Sequence, residues 1–136
     1  MKKLVECVPN ISEGNDQSVI NKIVQTIEKY PGIKLLNVDP GKATNRTVIT
    51  FVGDADIIVD AAFKLISKAK ELIDMRKHFG EHPRMGAVDV CPLIPISAIS
   101  MKETVDLAHK LSERVGNELS IPVYCYEYAA KEDKRK

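Results

Sequence analysis

Apolar residues in this chain come in short blocks separated by Pro, Gly, Asn and Asp. The spacing inside each block separates helix from strand. Residues 4–8 (LVECV) give a short strand stopped by Pro9-Asn10. Val19, Ile20, Ile23, Val24 and Ile27 recur at helical spacing, with Asn15 or Asp16 as the N-cap. Pro31-Gly32 ends that helix. Residues 33–38 predict a second strand, Asp39-Pro40-Gly41 a turn, and the β-branched run 47–52 a third strand. Asp54 caps a second helix whose apolar face is Ile57, Ile58, Ala61, Ala62, Leu65, Ile66, Ala69, Leu72 and Ile73. Gly80, Pro83 and Gly86 make the segment between them irregular. Residues 87–96 read as a fourth, mostly apolar strand, with Pro92 and Pro95 marking an edge or a bulge. Ser100 and Glu103 form a capping box that opens a third helix, with Val105, Ala108, Leu111, Val115 and Leu119 as its face. Residues 121–128 predict a final strand.

The order is β-α-β-β-α-β-α-β, and its first six elements match the split βαβ of ferredoxin-like folds. The expected class is α+β: a ferredoxin-like βαββαβ sandwich with an antiparallel-rich sheet, helices on one face, and an extra C-terminal helix and strand. The third strand should lie antiparallel between the first and second. No repeat, low-complexity tract or linker interrupts the chain, so residues 1–136 read as one unit.

Composition agrees with a folded domain: 136 residues, 44% hydrophobic and 29% charged. Lys plus Arg number 20 and Asp plus Glu 19, a net charge of +1 that gives no global field for nucleic acid or an anionic membrane. No apolar run approaches the ~20 residues of a membrane span. Cys7, Cys91 and Cys125 lie far apart in apolar runs, which suits buried strand residues and a reducing, cytoplasmic setting rather than a disulfide frame.

The topology gathers three segments at the end where the first strand finishes: 10–14, 39–46 and 80–86. They carry Asn10, Ser12 and Glu13; Asp39, Thr44, Asn45 and Arg46; and Glu81, His82 and Arg84. The opposite end offers little beyond Pro31-Gly32 and Gly53-Asp54. The free N–H groups at the start of the first helix would add an anion-favouring pole. The reading is a cleft for a carboxylate-bearing substrate. His82 is suited to acid–base work, Glu81 to orienting it, and Arg46 and Arg84 to gripping carboxylates. His78 and His82 are four apart, but Gly80 and Pro83 spoil the helical geometry and no third ligand is spaced nearby, so no metal is expected. His109 reads as solvent-facing. Walker, Gly-x-Gly-x-x-Gly and Gly-x-Ser-x-Gly patterns are absent.

Four stretches are recognisable. VECVPNISEG (5–14), LLNVDPGKATNRTVITFVG (35–53), LIDMRKHFGEHPRMGAVDVCPLIPI (72–96) and IPVYCYEYAA (121–130) resemble the glutamate formimidoyltransferase family. The resemblance implies transfer of a formimino group from N-formimino-L-glutamate to N5 of tetrahydrofolate, a co-substrate, with no metal. It implies two ferredoxin-like halves with folate between them. It assigns His82, in the GEHPRMG block, as the catalytic residue. The substrate-binding candidates are Asn10, Asp39, Asn45, Arg46, Glu81 and Arg84.

The chain resembles only the N-terminal half of that family's transferase unit. A C-terminal subdomain or a partner chain is therefore expected to complete it, and a homodimer is compatible with the sequence. The rival functions are a non-catalytic module binding folate or an acidic metabolite, and an interaction protein docking through its sheet. An RNA-binding sheet would need exposed aromatics, and residues 47–52 offer only Phe51.

Overall fold

The computed structural model describes residues 3–77 and 88–120. Its strands are β1 (Leu4–Cys7), β2 (Asn10–Ile11), β3 (Lys34–Gly41), β4 (Arg46–Asp54), β5 (Val88–Val90) and β6 (Leu93–Ser97). Its helices are α1 (Gln17–Glu28), α2 (Ala55–Lys77) and α3 (Met101–Leu119). The class is α+β with a ferredoxin-like arrangement, as the element order predicts.

β4 is the axis of a six-stranded antiparallel sheet. One of its edges pairs with β3. The other pairs with β1 at Phe51 to Asp54 and with β2 at Thr47 and Val48. β6 pairs with β1, and β5 with β2. The third predicted strand thus lies between the first and second, as expected.

Along β4 the burial alternates strictly, with Thr47, Ile49, Phe51 and Gly53 buried toward the helices. Val5, Cys7, Ile11, Ile49 and Phe51 are fully buried there. They meet Ile20, Ile23 and Ile27 of α1, Ile58, Leu65 and Ile66 of α2, and Leu111 and Val115 of α3. Burial of each such aliphatic side chain contributes roughly 1.5–3 kcal/mol. Asp16 caps α1, accepting hydrogen bonds from the amides of Ser18 and Val19 at 3.0 and 3.2 Å. Asp54 accepts from the amide of Asp56 at the start of α2, and the Ser100–Glu103 capping box opens α3 as predicted.

Four expectations need correction. Residues 39–41 are strand, not turn: β3 runs through Gly41, opposite Arg46. Pro40 is tolerated because β3 pairs only with β4 among the described residues, so its missing N–H faces no neighbour. The first strand does not end at Pro9 but resumes as β2. The fourth strand is two pieces, β5 and β6, broken at Cys91-Pro92. The two breaks lie side by side, where the Val8 amide donates to the Pro92 carbonyl at 3.1 Å. On α3 the buried position is Thr104 rather than Val105, and the Thr104 hydroxyl is satisfied by the Ser100 carbonyl at 2.9 Å. The predicted strand 121–128, Cys125 and His78 lie outside the described residues.

Candidate functional site

The breaks divide the sheet into a larger part, β1 with β6, and a smaller part, β2 with β5. The smaller part, the start of β4 and the end of β3 form one rim of the molecule. Register places the chemistry on it. Asn10 and Asp39 are both partners of Val48, from opposite sides, and Asn10 is also opposite Val90. Partnered residues of adjacent strands project to the same face. Val48 alternates with the helix-facing Thr47 and Ile49, so Asp39, Val48, Asn10 and Val90 form a row across the face away from the helices. Arg46, two residues before Val48, shares that face. Strand spacing sets Asp39 and Asn10, two strands apart, about 10 Å from one another. A carboxylate, a carboxamide and a guanidinium therefore share one face at the rim, Asp39 exposed and Asn10 and Arg46 half-buried.

What holds this rim together is the close seating of residues 13–15 on the β3–β4 turn. Residues 42–45 form that turn, with the Asn45 amide donating to the Lys42 carbonyl at 3.2 Å. Asn45 adopts φ 54°, in the left-handed region that Asn tolerates better than most residues. Its side-chain oxygen accepts from the Gly14 amide at 2.9 Å and from the Asn15 side chain at 2.8 Å. The buried Thr47 hydroxyl donates to the Glu13 carbonyl at 2.5 Å. A β-carbon on Gly14 would lie 2.6 Å from the Arg46 amide nitrogen and 2.8 Å from its carbonyl oxygen. Only glycine permits that approach.

Asn45 therefore positions backbone through its Oδ1, whose two hydrogen bonds are both made within the rim. The helix pole expected to attract an anion is also engaged. Asp16 takes two of the α1 amides, and the Glu13 carboxylate accepts from the amides of Asn15 and Asp16 at 3.0 and 2.8 Å. Glu13 is only 3% exposed. The protein's own carboxylates thus take two amides of the first turn of α1 and the two amides just before it. Glu13 and Gly14 matter more than their positions in a polar loop suggest. The signal for Glu13 was its place three residues ahead of the N-cap; the signal for Gly14 was a glycine where no turn type required one.

His82, Glu81 and Arg84 lie outside the described residues. The chain leaves the described part at Lys77, the end of α2, and re-enters at Val88, which is partnered with Ile11 next to Asn10. Among the described residues no three His, Cys, Asp or Glu side chains come together as a metal set. No described helix is long and apolar enough to cross a membrane. Titratable groups with clear shifts lie elsewhere. Asp60 of α2 accepts from the Tyr30 hydroxyl at 2.6 Å and from Arg114 of α3 at 2.8 Å, and Arg114 stacks 3.8 Å over the Phe63 ring. The Asp60 bond pushes the Tyr30 phenol up to about 12, and the Tyr30 and Arg114 donors hold the Asp60 carboxyl below its ordinary range.

Comparison with known proteins bears on this arrangement. The chain matches the family described as the formiminotransferase domain, N-terminal subdomain, over residues 4–136. It is 54% identical over 136 residues to the formimidoyltransferase-cyclodeaminase of Rattus norvegicus, covering all of this chain and 25% of that protein. It is 48% identical to the glutamate formimidoyltransferase of Streptococcus pyogenes serotype M1, covering all of this chain and 46% of that one. The glutamate formimidoyltransferase of Thermoplasma acidophilum is 50% identical over 132 residues, 97% of this chain and 44% of that one. The chain thus spans between a quarter and half of the length of these relatives. A match from residue 4 to the last residue, at about half identity to proteins that share the name, has one reading: the chain belongs to the formiminotransferase domain family, as its N-terminal subdomain.

Proposed function

We propose that this chain supplies half of a glutamate formimidoyltransferase site, which moves a formimino group from N-formimino-L-glutamate to N5 of tetrahydrofolate. The observation that carries the reading is the shared face of Asn10, Asp39 and Arg46 at the rim. The segment bearing His82 returns there at Val88, beside Ile11. Both substrates carry carboxylates, and the relatives named above are formimidoyltransferases.

In this reading Arg46 and Arg84 grip carboxylates, bidentate geometry making them better suited than lysines. Asn10 and Asp39 offer hydrogen bonds to the amidine or the pterin edge, and Glu81 orients His82. N5 attacks the formimino carbon and loses its proton to His82. The carbon–nitrogen bond to glutamate then breaks, and His82 returns the proton to the departing nitrogen. Acid–base help of this kind is worth roughly 10²–10⁴-fold. Asn45 acts by holding the 13–15 segment in place. The second half of the site is supplied by a C-terminal subdomain or a partner chain, in keeping with the 46% of the Streptococcus pyogenes relative that this chain spans.

The test mixes the chain with a C-terminal subdomain protein and follows formimino transfer to tetrahydrofolate. The mixture is expected to turn over, and His82→Ala to lower kcat at least about 100-fold with folate-analogue binding unchanged. A mixture that binds the analogue but never turns over would replace this reading by a binding module for folate or an acidic metabolite. The same short coverage of the relatives favours that alternative.

A further inference from the structure

Cys7 closes β1, and Cys91 sits in the bend between β5 and β6. Their sulfur atoms lie 3.3 Å apart, although 84 residues separate them in sequence. Both side chains are fully buried and neither is in a disulfide. The transfer chemistry proposed for the rim uses neither. We propose that Cys7 and Cys91 are an oxidisable dithiol, a modification site that closes to an intramolecular disulfide when a small peroxide reaches it.

Three observations support this. A disulfide needs its sulfurs near 2.05 Å, so the pair must close by only about 1.3 Å, within the reach of side-chain rotation. The two backbones are already held side by side: Cys7 is partnered with Leu93, and the Val8 amide donates to the Pro92 carbonyl at 3.1 Å. Full burial also selects the oxidant. Exchange with a bulky disulfide would pass through a mixed disulfide for which the packed core has no room. Hydrogen peroxide is close to water in size and can enter when β2 and β5 open locally.

The chemistry balances without a further reactant. One thiol loses its proton and its sulfur attacks a peroxide oxygen. The O–O bond breaks, the first water leaves, and a sulfenic acid remains. The second sulfur attacks that sulfur and the S–O bond breaks. Hydroxide departs with the second thiol proton as another water. Two thiols together lose two protons and two electrons, and one peroxide takes them up as it becomes two waters.

The bond would form at the level where β1 gives way to β2 and β5 to β6. It would pin the two strand breaks to one another and slow the opening of β2 and β5 toward solvent.

The experiment treats the folded chain with hydrogen peroxide and maps its peptides by mass. The expected result is one linked pair of peptides carrying Cys7 and Cys91, two hydrogens lighter than the sum of the reduced peptides and separated again by a phosphine reductant. The linked form should show slower amide exchange at Asn10, Ile11 and Val88, and a Tm raised by roughly 5–15 °C. Cys7→Ala and Cys91→Ala should each abolish the link and the shift. If either variant folds poorly, the wild-type peptide map decides alone. The proposal is overturned if both thiols survive peroxide while the exposed Met101 oxidises. It is equally overturned if either sulfur gains oxygen without a link, or if the link formed involves Cys125.

Discussion

Replacing Gly14 by alanine tests the seating of residues 13–15 on the β3–β4 turn. The added methyl group would sit 2.6 and 2.8 Å from the amide nitrogen and carbonyl oxygen of Arg46, and also against the Gly41 carbonyl oxygen. These are backbone atoms of paired strands, so relief comes only from lifting the segment. Forced overpacking of this kind costs about 1–3 kcal/mol. Lifting also breaks the Gly14 amide bond to Asn45, a further cost of about 1 kcal/mol. Together the loss is about 2–4 kcal/mol, which for a chain of 136 residues lowers Tm by roughly 7–14 °C. Gly116 is the matched control. It lies within α3 with nothing within 4 Å of a built β-carbon, so Gly116→Ala should gain about 0.5–1 kcal/mol from helix propensity. Urea titration followed by circular dichroism reads both variants. Gly14→Ala within about 0.5 kcal/mol of the wild type, the scatter of an ordinary surface change, would refute the seating. The rim built on it would then lose its basis.

Other parts of the molecule give equally direct outcomes. The Asp60 carboxyl is held low by Tyr30 and Arg114, so its contribution is present above its unfolded value of 3.8 and is lost as pH falls through the lower folded value. Asp60→Asn should therefore cost about 1 kcal/mol at pH 7, modest because the pair is a third exposed, and the gap should close in denaturation series taken below pH 4. The Tyr30 phenol, raised from 10.0 to about 12, contributes stability below pH 10 that fades as pH rises toward 12. Ultraviolet titration of the wild type should show a phenol ionising near pH 12, and Tyr30→Phe should remove that step. Thr47→Val leaves the buried Glu13 carbonyl without its hydroxyl donor and should cost about 1–3 kcal/mol by urea denaturation.

The fold was largely legible in the sequence because its helices are capped and periodic. Asp16, Asp54 and Ser100 announce three starts. The 3.6-residue spacing of Ile20, Ile23, Val24 and Ile27 matches the face that is buried. Strand ends are less legible around proline: Pro9 reads as a stop and Pro92 as an edge or bulge within one strand. Pro9 falls between β1 and β2 and Pro92 between β5 and β6, while Pro40 lies inside β3, which among the described residues pairs on one side only. The common location of Asn10, Asp39 and Arg46 followed from topology alone. What topology could not show was which polar groups near them the rim itself would occupy. The Asn45 side-chain oxygen is taken by the Gly14 amide and the Asn15 side chain, Asp16 caps the Ser18 and Val19 amides of α1, and Glu13 takes the Asn15 and Asp16 amides just before it. Those outcomes depend on atomic approach, and the local pattern carries no record of it.

Among the described residues β3 has no partner on its outer edge, which bears on how this chain behaves at high concentration. An open strand edge is a template on which a second molecule can add a strand and begin a fibril. Here the ladder slips between Leu35 and Asn37, leaving the half-exposed Leu36 at the irregularity, and Pro40 removes one donor near the far end. Lys34 adds a charge at the near end. No uninterrupted run of regularly spaced donors and acceptors remains for an incoming strand to copy, so the most apolar exposed position on this edge lies where templated growth is blocked.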